Sequence, residues 1–359
     1  MSTTTTQPPE PEAGRTELDL RRGALPRRFP AVLLASTAAV VAGVLLAFAS
    51  FGFALWAILT AVAYTAIVVT ASARVEGGRK ATDRLVTALV YGCFLLAMLP
   101  LVSVLWTVAQ NGMARFDGYF LTVSMNGVLP SMDAGGVYHA VVGTLAITGM
   151  ATLIAVPIGV MSAVYLVEYA EGRLKHVITF FVDVMTGIPS IVAGLFVVAL
   201  WMMLFGPGHT NGAAGAISLA VLMIPVVVRS SEEMLRLVPR DLREASYALG
   251  VPKWRTITKV VLPTSAAGLT TGIMLAIARV IGETAPLILT AGSSAVSINW
   301  NLFDGQMMSL PVFIYSQVRM GDAVNYERAW GAALTLILTV MLLFFLARLI
   351  GRLFAPKAR

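Results

Sequence analysis

Residues 29–73 read FPAVLLASTAAVVAGVLLAFASFGFALWAILTAVAYTAIVVTASA, 45 residues with no Asp, Glu, Lys or Arg. As one helix rising about 1.5 Å per residue, the run would extend roughly 68 Å, twice the ~30 Å hydrocarbon core of a bilayer. It therefore crosses twice, with a reversal expected near Ser50-Phe51-Gly52. Further uncharged blocks cover Leu85–Met113, Ala134–Val167, Val184–Val228 and Ala329–Ala347. Val184–Val228 is again too long for one pass, and the turn-forming Gly206-Pro-Gly-His-Thr-Asn-Gly212 divides it. A helix from about Leu262 to Leu289, carrying two charges, completes the set. The expected fold is all-α and polytopic. Its crossings are placed near 31–49, 53–72, 85–109, 138–166, 178–205, 213–229, 263–290 and 331–350.

Composition agrees. Hydrophobic residues make up 57% and charged residues 13% of the chain, against roughly 45–50% and 25% in soluble domains. The net charge of +7 raises nucleic-acid binding, but its distribution excludes that reading. With the N-terminus inside, only Arg115, Arg319 and Arg328 fall outside, and Arg279 lies within a helix. Every other Lys and Arg falls in a segment assigned to the cytoplasm. The positive-inside rule then places both termini there. Trp106, Trp201 and Trp330 fall near the outer helix ends, where an aromatic belt is expected.

Cys93 is the one cysteine, so no internal disulfide or zinc cluster is formed, and His139, His176 and His209 have no metal-ligand spacing. Residues 1–30 begin with a Thr/Pro/Glu-rich tract and end in Arg21-Arg22 and Arg27-Arg28. They lack the apolar stretch and small-residue cleavage site of a signal peptide, and read as a disordered cytoplasmic tail. Residues 31–73 form a hairpin ahead of a six-helix unit over 80–355. There is no Gly-x4-Gly-Lys-Ser/Thr loop, no Ser-centred elbow and no His-Glu-x-x-His. No enzyme, cofactor or metal site is expected, and work from ATP must come from a separate chain.

The longest outside segments are 110–137 and 291–330. Inside, 230–260 is densely charged and reads as helical, with Ser231-Glu232-Glu233, Arg236, Arg240-Asp241 and Arg243-Glu244 along a solvated face. It contains Glu244-Ala-Ser-Tyr-Ala-Leu-Gly250, then nine residues, then Val260-Val-Leu-Pro263. Small residues at 245, 246 and 248 permit close approach to a partner surface. Gly250 tolerates the positive φ of a sharp turn, and Pro263 is suited to open the next helix. The spacing resembles the EAA loop of ABC importer permeases, with Ser246 in place of the third small residue and Val260 in place of Ile. The resemblance implies a coupling segment over 230–263 that docks on an ATPase. Glu244, Ala245, Ser246, Gly250, Leu262 and Pro263 are its candidate residues.

Arg279-Val-Ile-Gly-Glu283-Thr-Ala-Pro286 is the second informative constellation. Counted from Pro263, Arg279 lies roughly 24 Å along its helix, past the middle of the bilayer. A central charge costs at least ~2.5–3.5 kcal/mol on insertion scales, so it is expected to face a bundle interior, a pathway or a partner. Arg279 and Glu283, four apart on a continuous helix, would share a face and be able to pair. They read either as a self-neutralising structural pair or as an anion site. In the second reading the guanidinium takes two oxyanion oxygens through parallel hydrogen bonds. Glu283 accepts from a protonated phosphate oxygen, which sulfate lacks at neutral pH. Thr284 adds a hydroxyl, and Gly282 with Pro286 loosens the helix. Gly187-Ile-Pro189 is expected to bend its own helix, and Asp183 to be neutralised by a nearby basic group or by water.

Gly-Glu-Thr-Ala-Pro after an Arg is similar to the signature of PstA-type phosphate permeases. Val142-Gly143-Thr144, Pro157-Ile-Gly159, Tyr165-Leu-Val-Glu168-Tyr169, Gly187-Ile-Pro-Ser-Ile-Val-Ala-Gly194 and Leu310-Pro-Val-Phe-Ile-Tyr315 resemble the same family. The resemblance runs from about Asp83 to Phe354, and the hairpin at 31–73 departs from it. It implies a bacterial plasma-membrane importer of inorganic phosphate in which this chain forms half the pathway. The implied partners are a PstC-like permease, an ATPase dimer and an extracytoplasmic phosphate-binding protein. Two rivals remain: an ABC permease for sulfate or molybdate, and an ion-coupled secondary transporter, which has no reason to carry the coupling segment.

Overall fold

A computed structural model describes residues 25–26, 28–48, 52–129 and 131–354. The expected tail over 1–30 thus lies almost wholly outside the described residues, as does most of the reversal expected at Ser50-Phe51-Gly52. Among the described residues every regular element is helical. In chain order they are α1 (Phe29–Ala47), α2 (Phe53–Val75), α3 (Gly78–Gly112), α4 (Gly118–Thr122), α5 (Tyr138–Val164), α6 (Gly172–Gly187), α7 (Ser190–Phe205) and α8 (Gly212–Arg236). Then come α9 (Arg240–Ala248), α10 (Lys253–Thr256), α11 (Leu262–Ile281), α12 (Ala285–Thr290), α13 (Leu310–Met320) and α14 (Ala323–Phe354). A π-helical turn, Tyr165–Tyr169, ends α5, and another, Ile257–Val261, joins α10 to α11.

Seven described helical runs are long and apolar enough to cross a membrane, and an eighth crossing exists if α6 and α7 count as one. Two expected crossings change. The helix expected over 178–205 is broken at Ile188-Pro189, and its halves meet at 106°. The helix expected over 263–290 ends at Ile281. Pro286 lacks an amide proton and its ring would strike the carbonyl of Gly282, four residues back, so the helix stops there and α12 starts afresh. Pro263 lies in the first turn of α11, as expected, although the π turn Ile257–Val261 joins α10 to α11 and Lys253–Ile281 runs on as one span. Trp201 also departs from expectation: it is buried beside Phe205, Val197 and Ala213 rather than set in a lipid-facing belt.

The chain divides into two compact units, Met1–Val104 and Leu105–Arg359, a boundary that falls within α3. In the first, α1 packs on α2, and the Trp56 indole donates to the Ala38 carbonyl at 2.9 Å. Where α2 gives way to α3, the buried Glu76 carboxylate accepts from the Leu25 amide (3.0 Å) and the Ser72 hydroxyl (2.8 Å) and pairs with Arg84 (2.7 Å). The Leu25 amide and then the Ser72 hydroxyl hold the carboxyl below its ordinary value of 4.5; burial opposes them, and the charges of Arg84 and Lys80 add smaller lowering effects. A depressed carboxyl stabilises the fold fully above the unfolded value and ceases to do so as pH falls through the folded one. Glu76→Gln is therefore expected to lower the Tm of detergent-solubilised protein at pH 7. The difference from native should shrink once pH drops below about 4.5, and a pH-independent difference would contradict this account.

The second unit is built on α5 and α8. In lipid, apolar helices gain little from hydrophobic burial against one another, so close backbone approach through small residues carries the packing. Ala151 and Ala155 of α5 share a buried cluster with Ala216, Leu219, Ala220 and Val227 of α8. A Cβ on Gly159 would lie 2.6 Å from Cγ1 of Val227. At the other end of α5, a Cβ on Gly143 would overlap the Met308 carbonyl oxygen, and the Leu310 amide donates to Thr144 at 2.7 Å. Gly143→Ala is expected to cost about 1–3 kcal/mol through overpacking. Gly149→Ala, on the same helix with open space around it, is the control. Thermal unfolding in detergent should separate the two, and equal Tm values would contradict the packing account.

Candidate functional site

The break in α6–α7 shapes the principal site. Ile188-Pro189 and the adjoining Met185, Thr186 and Ser190 face Leu222, Pro225 and Val226 of α8 and Arg279, Val280 and Glu283 around one cavity of about 220 Å³. That volume is below the ~300–1,000 Å³ of sites for drug-sized ligands and suits a small ion with part of its hydration shell. Thr186, Ser190, Arg279 and Glu283 are its polar lining, and the rest is apolar. Arg279 is exposed and Glu283 half-buried. No ion pair or hydrogen bond joins the two among the described residues, because Glu283 lies beyond the end of α11 and its amide donates to the Val280 carbonyl at 3.1 Å. They do not stack on a continuous helix face, but they reach the same cavity.

The other pathway candidates are placed differently. Gly282 caps α11, and Thr284 occupies the N-cap position of α12 without a capping bond. Pro286 is buried in packing, where a Cβ on Gly194 of α7 would sit 2.8 Å from its Cα. Gly187 ends α6 beside the cavity, with Pro189 on its wall.

The charged segment after α8 folds as two short helices. Glu244, Ala245 and Ser246 lie on α9, with Glu244 and Ala245 exposed and the Ser246 hydroxyl bonded to that of Thr256 at 2.8 Å. Gly250 follows α9 at φ +73°, a left-handed conformation with open space around it, so backbone strain alone selects glycine there. Leu242, Tyr247, Leu249 and Trp254 are exposed around it. Leu262 and Pro263 lie at the start of α11. Beneath α9 is a cavity of about 590 Å³ whose charged lining includes Lys175, Arg236, Arg240, Glu168 and Glu244.

Two charged constellations were not legible as a site. Arg243 of α9 donates from Nε (3.0 Å) and NH2 (2.9 Å) to Glu168, and further to the Val238 (2.6 Å) and Leu235 (3.0 Å) carbonyls at the end of α8. The π turn after α5 carries Glu168, 75 residues away from Arg243. The signal available was a carboxylate at the edge of an uncharged block. Asp183 of α6 pairs with Arg229 of α8, which also donates to Glu232 at 2.9 Å, and Glu232 pairs in turn with Arg236. Asp183 is thus neutralised by a basic group.

Residues 155–359 match the family described as binding-protein-dependent transport system inner membrane component. The phosphate transport system permease protein PstA 1 of Mycobacterium tuberculosis (strain CDC 1551 / Oshkosh) is 49% identical over 282 residues, 78% of this chain and 92% of that one. The PstA protein of Yersinia pestis is 38% identical over 285 residues, covering 79% and 93%. Among solved structures, a bacterial alginate ABC transporter in complex with a periplasmic protein holding an alginate pentasaccharide gives a TM-score of 0.53. It is 13% identical and covers 77% of this chain and 97% of that one, a likeness of fold. With the family matched over most of its second unit and PstA relatives aligned over more than three quarters of its length, the chain belongs to the binding-protein-dependent transport system inner membrane components, among the PstA permeases.

Proposed function

We propose that this chain is the transmembrane permease subunit of an ATP-driven importer of inorganic phosphate. The observation that carries the reading is the Arg279–Glu283 cavity at the α6–α7 break, in a chain 49% identical to a phosphate permease. Arg279 holds the oxyanion through parallel charge-assisted hydrogen bonds. Glu283 accepts from its remaining proton and opposes overly tight retention. Thr186 and Ser190 are the hydroxyls on the cavity wall, Thr284 follows Glu283 at the start of α12 as a further hydroxyl, and Gly282, Pro286, Gly187 and Pro189 supply the helix breaks.

The chain provides half the pathway, and a PstC-like permease completes it across the open side where Arg279 is exposed. An extracytoplasmic phosphate-binding protein delivers the anion. ATP is hydrolysed by a separate ATPase dimer, onto which Glu244, Ala245, Ser246, Gly250, Leu262 and Pro263 couple α9. Both termini and α9 lie on the cytoplasmic side of the bacterial plasma membrane, as the distribution of Lys and Arg supports.

The test is labelled phosphate uptake in cells lacking their own importer and supplied with this chain and its partners. Uptake that survives excess sulfate is expected. Equal inhibition by sulfate, or no phosphate uptake, would transfer the reading to another oxyanion.

A further inference from the structure

The cavity wall does not end at Val226. Leu222, Pro225 and Val226 of α8 line it, and Arg229 follows at spacings of seven, four and three. Those spacings place Arg229 on the same helix face, one turn closer to α9. On α6, Thr186 lines the cavity, and Asp183 lies one turn before it in the same direction. The Asp183–Arg229 ion pair therefore bridges α6 and α8 immediately beyond the cavity, at the end that faces α9.

The two carboxylates on Arg229 are not equivalent. Glu232 is 5% exposed, bonded to the other guanidinium nitrogen of Arg229 and paired with Arg236, so it is a fixed partner. Asp183 is 59% exposed and has no bond besides the one to Arg229 among the described residues. Exposed pairs of this kind are weak and exchangeable, whereas buried ones are costly to break. When Asp183 swings away, Arg229, Glu232 and Arg236 carry one net positive charge next to the cavity.

We propose that Arg229 is a second oxyanion station, reached after Arg279, and that Asp183 is the carboxylate the anion displaces from it. While the station is empty, the pair closes the α9 end of the cavity. An arriving tetrahedral oxyanion takes over the guanidinium nitrogen that Asp183 held. Its departure lets the pair re-form. This inference rests on the reading of the Arg279 cavity as the pathway.

The test uses the assembled transporter, nucleotide-free, with labelled inorganic phosphate in equilibrium dialysis and uptake measured in parallel. Asp183→Asn removes the competitor and keeps Arg229. It is expected to bind phosphate about threefold or more tightly, the scale of an exposed ion pair, and to show a lower KM with a lower maximal rate. Adding Arg229→Gln to Asp183→Asn should abolish the gain in binding. A merely structural pair would give Asp183→Asn a lower Tm and unchanged or weaker binding, which would overturn the proposal. Arg279→Ala run alongside separates the two layers. If it keeps full uptake, the pathway reading falls and this proposal with it. If it loses uptake while Asp183→Asn binds phosphate as the native protein does, only the second station is refuted.

Discussion

Arg243→Ala is expected to lower phosphate uptake at least about tenfold while ATP hydrolysis by the assembled transporter continues. Arg243 ties α9 to two other elements at once: to Glu168 at the π-helical end of α5, and to the Leu235 and Val238 carbonyls at the end of α8. Its side chain is 15% exposed and that of Glu168 5%, so the pair is largely dry. Removing one partner of a buried pair leaves the other charge uncompensated, at about 3–5 kcal/mol. Since α9 is a nine-residue helix held otherwise by its flanking turns and the Ser246–Thr256 bond, that cost appears first as a loosened α9. Under the proposed coupling, movement passed from the ATPase to α9 would then no longer reach α5, which packs along α8 and its share of the cavity wall. Phosphate transported per ATP in proteoliposomes is the measurement. The double variant Arg243→Met, Glu168→Met sharpens it, because replacing both members of a buried pair by apolar groups is often neutral for stability. The double variant should regain Tm but not transport, and an unchanged ratio in Arg243→Ala would contradict the coupling role.

The limits of sequence reading follow from the physics of each signal. Uncharged blocks report apolar length, so α1, α2, α5 and α8 fall within several residues of their expected crossings. The same signal is blind to direction. It merges α6 with α7, and α11 with α12, because each break is only two or three residues long and apolar helix resumes at once beyond it, even where the break itself is Gly282-Glu283-Thr284. Gly187 and Pro189 marked a bend, but not one of 106°. The helix α13 escaped notice because it is short and carries Ser316, Gln317 and Arg319 within a long outside segment. In the site, Arg279 and Glu283 stood out as charges in an apolar block. Their arrival at one cavity depends on the chain break that Pro286 imposes, not on the helical spacing expected. Arg243 with Glu168, and Asp183 with Arg229, are 75 and 46 residues apart. Such pairings are made by packing, and periodicity along one helix cannot reveal them.

Arg279→Ala carries the largest expected effect. Arg279 is the cationic group on a cavity whose other polar lining is two hydroxyls and the Glu283 carboxylate. An oxyanion entering a mostly apolar cleft sheds part of its hydration, and the guanidinium replaces it with charge-assisted bonds of about 1.5–3 kcal/mol each. Losing two of them corresponds to roughly 100-fold or more in uptake. The arginine lies at the exposed end of α11 and has no ion pair within the described chain, so its removal leaves no buried partner behind and the protein should still fold. Arg279→Lys keeps a point charge but not the planar fork, and is expected to fall between native and Ala. The most direct measurement is labelled phosphate uptake by cells without their own importer, carrying the native chain or Arg279→Ala with its partners, and with each chain quantified in the membrane. Uptake lost by roughly 100-fold at equal membrane abundance is the predicted result; native-like uptake by Arg279→Ala would contradict the placement of the phosphate pathway at this cavity.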